Sequence, residues 1–232
     1  SSSPCVISML IIYEDSMLLL VSKPAGMPVQ SDPTGDESLM DVAERHCKHP
    51  LHLVHRLDRP VSGLVLFAKN PAAMASLSRQ WQEPTVEKTY LAAVAPAPPE
   101  KAATLVHYFH KPKKNSNKTA LTTEGDAQAE RAELAYSVAG HTDRYCFLEI
   151  ELVSGRHHQI RAQLAAIGSP VKGDVKYGAR RANADRSIHL HAWKLSFEHP
   201  GSGEWMTWTA PLPQTDALWQ AFSSSVQGLA GN

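Results

Sequence analysis

Between Arg144 and Val153 the side chains alternate without a break. Cys146, Leu148, Ile150 and Leu152 fall on one side, and Tyr145, Phe147, Glu149 and Glu151 on the other. A period of two marks a strand whose two faces meet different surroundings. Leu10 to Ser22 reads as two more strands, joined by a tight turn at Glu14-Asp15. Gly63 to Lys69, Lys88 to Val94, Ile188 to Phe197 and Glu204 to Thr209 complete the set of strands, the last two as one antiparallel pair. Helices are expected at Ser38 to Cys47, with Ser38 as cap and Asp41 three residues on, and at Pro71 to Gln82, with Pro71 tolerated in the first turn. A third is expected at His157 to Ile167, where Ile160, Leu164 and Ile167 share a stripe that Gly168 and Pro170 terminate, and a fourth at Thr215 to Ser223. Strands outnumber helices and are not regularly interleaved with them. This predicts an α+β fold with a mostly antiparallel sheet. No domain boundary is visible. Residues 1–225 are expected to form one domain, and residues 226–232 a loose C-terminal tail.

Other classes are excluded by what is missing. No run of 18 apolar residues is present to span a membrane, and residues 1–8 do not have the pattern of a secretory leader. Cys5, Cys47 and Cys146 are odd in number and far apart, which argues against a disulfide framework and for a reducing, cytoplasmic setting. Nothing calls for an obligatory protein partner, so a monomer is expected. The formal net charge is zero, which by itself argues against a polyanionic partner. The charge is segregated, however. Lys111, Lys113, Lys114 and Lys118 lie in eight residues without an acid, and a second basic stretch runs from Arg156 to Arg186. Either stretch could line a phosphate backbone or be a solvated loop.

The chemistry concentrates at His55-Arg56-Leu57-Asp58-Arg59-Pro60-Val61-Ser62-Gly63, just before the apolar run Leu64-Val65-Leu66-Phe67-Ala68. Asp58 stands between two arginines on a loop that feeds a buried strand. Flanking cations favour a fixed carboxylate, suited to act as nucleophile or base, or equally to form a structural ion pair.

Read as a motif, the segment resembles the signature of the RluA-type RNA pseudouridine synthases: His-Arg-Leu-Asp, two variable residues, then Thr-Ser-Gly, with Val61 here in place of the threonine. Four further segments agree in order: Val21-Ser22-Lys23-Pro24-Ala25-Gly26, Glu87-Lys88-Thr89-Tyr90, Ser154-Gly155-Arg156-His157-His158-Gln159-Ile160-Arg161, and Leu190-His191-Ala192 with the later Thr209-Ala210-Pro211-Leu212. The resemblance implies the α+β fold of that family, a mixed, mostly antiparallel central sheet flanked by helices and crossed by a central cleft, and isomerisation of uridine in ribosomal or transfer RNA to pseudouridine. It implies no cofactor and no metal, because no electrons or groups are exchanged. By the same resemblance Asp58 is the catalytic carboxylate, Arg161 its orienting partner and Tyr90 the residue over the uracil. Arg56 is the wedge that replaces a flipped-out base, with His55 beside it on the substrate side. Lys113, Lys114 and Lys118 are candidates for the RNA backbone.

Two other readings compete. A non-catalytic RNA-binding module of the same fold would keep the basic clusters but would not need Asp58. His46, His49, His52 and His55 recur every three residues around Cys47, as zinc ligands might. Pro50 breaks any helix through them, and no Cys-x-x-Cys or His-Glu-x-x-His motif is present, so a metal site is not expected.

Overall fold

The computed structural model describes residues 9–229, apart from 84, 112 and 114–116. Its eleven strands join in one sheet. The strands are β1 (Leu10–Glu14), β2 (Leu18–Lys23), β3 (His52–Leu53), β4 (Ser62–Ala68), β5 (Glu87–Val94), β6 (Ala102–Phe109), β7 (Leu121–Thr122), β8 (Glu130–His141), β9 (Cys146–Leu152), β10 (Leu190–Glu198) and β11 (Trp205–Thr209). The helices are α1 (Leu39–Cys47), α2 (Pro71–Gln82), α3 (Gln159–Ala166) and α4 (Ala217–Leu229), with a 3-10 turn at Val175–Tyr177. The spatial order is β1-β2-β4-β10-β5-β9-β8-β6-β7, with β3 on β4 and β11 on β10. All pairings are antiparallel except β4 with β10, so the sheet is mostly antiparallel, as the irregular interleaving predicted, and mixed, as the resemblance implied.

Both faces of the central strands are covered. Leu19 and Val21 of β2, Val65 and Phe67 of β4, and Leu148 and Ile150 of β9 pack with Leu39 of α1 and Ile160 and Leu164 of α3. The alternate residues, Leu18, Leu20, Leu64 and Leu66, pack against Ala73 and Leu77 of α2. Phe147 of β9 faces α4 and stacks on Phe222 at 4.4 Å. Strands covered on both faces read as unbroken apolar runs, and β4 is buried at every position.

The expected caps form. The Ser38 hydroxyl accepts from the Asp41 amide at 3.1 Å, and the Asp41 carboxylate accepts from the Ser38 amide at 3.1 Å. The Asn70 side chain caps α2 with Pro71 at its first position.

Three expectations change. β3, β6, β7 and β8 extend the sheet in stretches to which the sequence pattern assigned no strand. The C-terminal helix continues to Leu229 with Val226 buried, so residues 226–229 are helical and not a loose tail; residues 230–232 lie outside the described residues. The third helix starts at Gln159 and not His157. Among the described residues, no helix is long and apolar enough to cross a membrane.

One glycine is needed for the sheet to close. Gly63 has φ 120°, and a Cβ there would lie 2.2 Å from the carbonyl oxygen of Ala192. The parallel register, His191 opposite Ser62 and Ala192 opposite Gly63, depends on that close approach.

Candidate active site

The start of β4 lies mid-sheet, and the Asp58 loop that enters it opens into a cleft of about 920 Å3. The loop is fixed from several directions. Lys23, 1% exposed, donates to the carbonyls of Pro24, Met27 and Arg59 at 2.9, 2.8 and 3.1 Å. Burial brings its ammonium down to about 7, against the opposing pull of Asp58. The Ser62 hydroxyl meets Nδ1 of His191 at 2.8 Å, tying the loop end to β10. His55 accepts the Leu66 amide at Nε2 (3.2 Å) and stacks on Trp81, with ring centroids 5.4 Å apart. Burial, with a smaller push from Lys88, lowers the His55 imidazole to about 4, so it is neutral at pH 7.

The partners of Asp58 are not its neighbours in sequence. Arg59 turns away, pairing with Asp32 at 3.1 Å and with Asp36. Arg56 is exposed at the cleft and pairs with no described residue. The cation that reaches Asp58 is Arg161 of α3, with Nη1 3.3 Å from Oδ2. Flanking arginines were thus the wrong pair to read from the sequence, because their side chains leave the loop in other directions.

Arg161 is itself held. Its Nε and Nη2 each donate at 2.8 Å to the two carboxylate oxygens of Asp174, which is 2% exposed. A bidentate pair leaves Nη1 as the one nitrogen free to turn toward Asp58. The Tyr177 ring lies 5.0 Å below the guanidinium.

His158 closes the other side of the carboxylate. Its Nε2 stands 3.6 Å from Oδ1 of Asp58, a close approach and not a hydrogen bond. The Tyr177 oxygen accepts the Thr119 amide at 2.9 Å and lies 2.6 Å from Nδ1 of His158, which holds the imidazole in place. Burial lowers His158 to about 4, although Asp58 pulls the other way. His158 reaches this place with φ 55°, a left-handed conformation uncommon for a residue with a Cβ, in the turn that starts α3.

Tyr90 of β5 lines the same cleft, on the face of the sheet that carries α3. Burial and then the charge of Asp58 push its hydroxyl up, so it stays protonated. Lys88, two residues earlier on that face, also lines the cleft, and burial lowers its ammonium.

The structure therefore gathers Asp58, Tyr90 and Arg161 around one cleft, with Arg56 and His55 in its lining. Lys113 and Lys118 are exposed, and Lys118 lies over the Tyr177 ring at 5.5 Å. Lys114 lies outside the described residues. The basic stretch divides: Arg156, Arg161 and Lys176 line the Asp58 cleft, whereas Lys172, Arg180 and Arg181 line another. The four regularly spaced histidines do not form one group. His46 approaches Glu14 and Cys47, while a separate set of possible ligand atoms comes from Asp58, His157 and His158. Sequence reasoning missed Asp174, His158 and Tyr177 as parts of the site. The signal for Asp174 in the sequence is a lone carboxylate beside Gly173 and between the apolar Val171 and Val175.

Comparison with known proteins places the chain among its relatives. Residues 17–166 match the model of the RNA pseudouridylate synthase family. An uncharacterized RNA pseudouridine synthase of Bacillus subtilis (strain 168) is 34% identical over 215 residues, covering 88% of this chain and 69% of the relative. The ribosomal large subunit pseudouridine synthase D of Nitrosomonas europaea is 31% identical over 217 residues, covering 88% of this chain and 62% of the relative. Among solved structures, human RNA pseudouridylate synthase domain containing 1 superposes with a TM-score of 0.75 at 26% identity, over 100% of this chain and 98% of that one.

Proposed function

The chain belongs to the RNA pseudouridine synthase family of isomerases, and from that premise we propose that it converts specific uridines of structured RNA to pseudouridine with Asp58 as the catalytic carboxylate. The reaction breaks the bond from C1′ to N1 and forms one from C1′ to C5. The proton on C5 leaves and N1 gains one, so atoms and electrons balance without a cofactor. While the base is detached, C1′ is electron-poor. A carboxylate beside it can supply the missing charge, as nucleophile or counter-ion.

The observation that carries this reading is the fixed Asp58–Arg161–Asp174 array at the floor of a cleft also lined by Tyr90. Arg161 holds Asp58 Oδ2 at a single nitrogen, which sets its direction, while Oδ1, beside His158 at 3.6 Å, makes no hydrogen bond among the described residues and is left for substrate. A protonated Tyr90 offers a flat ring and one donor to a uracil. Arg56, exposed at the cleft and paired with none of the described residues, has the reach and planarity to stack in the space left by a flipped nucleotide. His55 holds the loop by its hydrogen bond to Leu66 rather than reaching for RNA. The names of relatives such as the Nitrosomonas europaea protein favour ribosomal RNA as the target class. Lys113, Lys114 and Lys118 are proposed to face its backbone.

The test is Asp58→Asn, which keeps shape and removes charge. Tritium release from RNA labelled at uridine C5 should disappear while RNA affinity persists. Turnover near that of the wild type would refute Asp58 as the catalytic carboxylate, whereas RNA binding without any turnover in the wild type would leave the binding-module reading standing.

A further inference from the structure

A second cleft of about 1330 Å3 lies on the other side of Tyr177 from Asp58. We propose that it is a separate RNA-binding site, which takes backbone phosphates and a base of the same RNA at a distance from the reacting uridine. The proposal rests on RNA being the substrate class.

Its lining is cationic. Arg144, Lys172, Arg180 and Arg181 all border it. Elsewhere on the molecule Arg45, Arg59, Arg131 and Arg156 each hold a carboxylate. Arg144, Arg180 and Arg181 hold none among the described residues, so with Lys172 four cations line a space that only two carboxylates, Asp185 and Asp216, share, and its lining is net positive. The two acids at the rim are occupied. Asp185 accepts from the amide and hydroxyl of Ser187, and Asp216 accepts from His189 and the Trp219 amide.

The site is built rather than a loose loop. Asn183 accepts from Lys172 at 2.6 Å and donates to the Ser187 carbonyl at 2.8 Å, with His189 Nδ1 at 3.0 Å. This anchors the segment that carries Arg180 and Arg181. Gly173 makes room for it, since a Cβ there would lie 2.7 Å from the Asn183 amide nitrogen. Lys172 also lies 5.6 Å from the centre of the half-buried Tyr145 ring. An aromatic face with cations around it is how proteins hold single-stranded nucleotides: the ring stacks a base and the cations take its phosphates. Tyr177 borders this cleft and hydrogen-bonds His158 in the other, so one RNA could press on both sides of the same wall.

The experiment uses the whole chain and a transcript of large-subunit ribosomal RNA. Arg180 and Arg181 are exposed, so Arg180→Ala with Arg181→Ala should fold. The double variant should bind at least about tenfold more weakly at moderate salt, and its plot of log K against log salt should flatten by roughly 1.5, the loss of two phosphate contacts. Lysines at both positions should restore most of the affinity. Ultraviolet cross-linking of the wild type should mark Tyr145 or residues 177–186. If the wild type forms pseudouridine in this transcript but the double variant binds it with unchanged affinity and slope, the second site is refuted and the proposed function stands. If the wild type forms none, the function fails for this RNA, and affinity and cross-links alone decide the cleft.

Discussion

Asp174→Asn separates positioning from chemistry. Asp174 touches no reacting atom; it takes two of the three Arg161 nitrogens, each at 2.8 Å, and the third reaches Asp58 at 3.3 Å. The substitution keeps volume but leaves one acceptor where two were needed, and it removes one of the two negative charges that share this guanidinium. Breaking a buried ion pair costs about 3–5 kcal/mol when the remaining charge is stranded. Here Arg161 keeps Asp58, so the expected loss of stability is nearer 2 kcal/mol, visible in urea unfolding. The kinetic effect should be larger. Once released, the guanidinium can pivot toward Asp58 and pull the carboxylate out of line, and a misplacement of about 1 Å is worth roughly a hundredfold in rate. Single-turnover tritium release at saturating RNA should fall by about that factor, with RNA affinity nearly unchanged. Arg161→Lys should behave alike, because an ammonium cannot serve both carboxylates with fixed geometry. Wild-type single-turnover rate in a folded Asp174→Asn protein would refute the claim that Asp174 orients Asp58 through Arg161.

Other outcomes follow from the same geometry. Arg56→Ala removes the proposed wedge and should slow single-turnover conversion by roughly tenfold even at saturating RNA; an unchanged rate would assign base replacement to another side chain. Gly63→Ala forces a Cβ into the Ala192 carbonyl and should cost about 3 kcal/mol or more, so that the protein is recovered largely insoluble; a soluble variant with the wild-type urea midpoint would show that the β4–β10 junction can relax. Stability should also fall on acidification. His191, 1% exposed, is lowered by burial from 6.5 to about 4, so the unfolded chain binds the extra proton between those values. Its contribution is complete above pH 6.5, is reduced by about 2 kcal/mol at pH 5, and is lost further toward pH 4. His55 and His158 act in the same direction, and a melting temperature constant from pH 7 to 5 would contradict all three.

The legible parts of the sequence were those where one element carries its own signal. β9 alternates large apolar and charged residues, α1 begins with a capping box, and α2 begins with Asn70-Pro71; each formed close to where its pattern placed it. β6 and β8 were missed for a physical reason. Their inward positions are partly filled by alanines, such as Ala103 of β6 and Ala132 of β8, which are weak strand formers, and polar residues such as Thr104 and His107 blur the alternation. They become strands because β9 offers an edge to β8, and β8 to β6, a condition no local window contains.

The candidate site divides in the same way. Asp58, Tyr90 and Arg161 stood out through the wording of their segments, and the resemblance paired Arg161 with Asp58, whereas the local charge pattern alone pointed to the neighbouring arginines. Arg56 and Arg59 lie within two residues of Asp58, yet Arg161, 103 positions away, is the one that reaches it. The strand order is the cause. A parallel β4–β10 pair at mid-sheet sets the Asp58 loop at the head of β4, with β5 as the next strand and α3 lying over that face. Lys23 at the end of β2 and His191 in β10 then hold the loop from either side through backbone carbonyls and Ser62. Each tie joins segments far apart in sequence, so the carboxylate's position is a property of the closed sheet. A change at Gly63 or His191 should therefore act on Asp58 as surely as a change beside it.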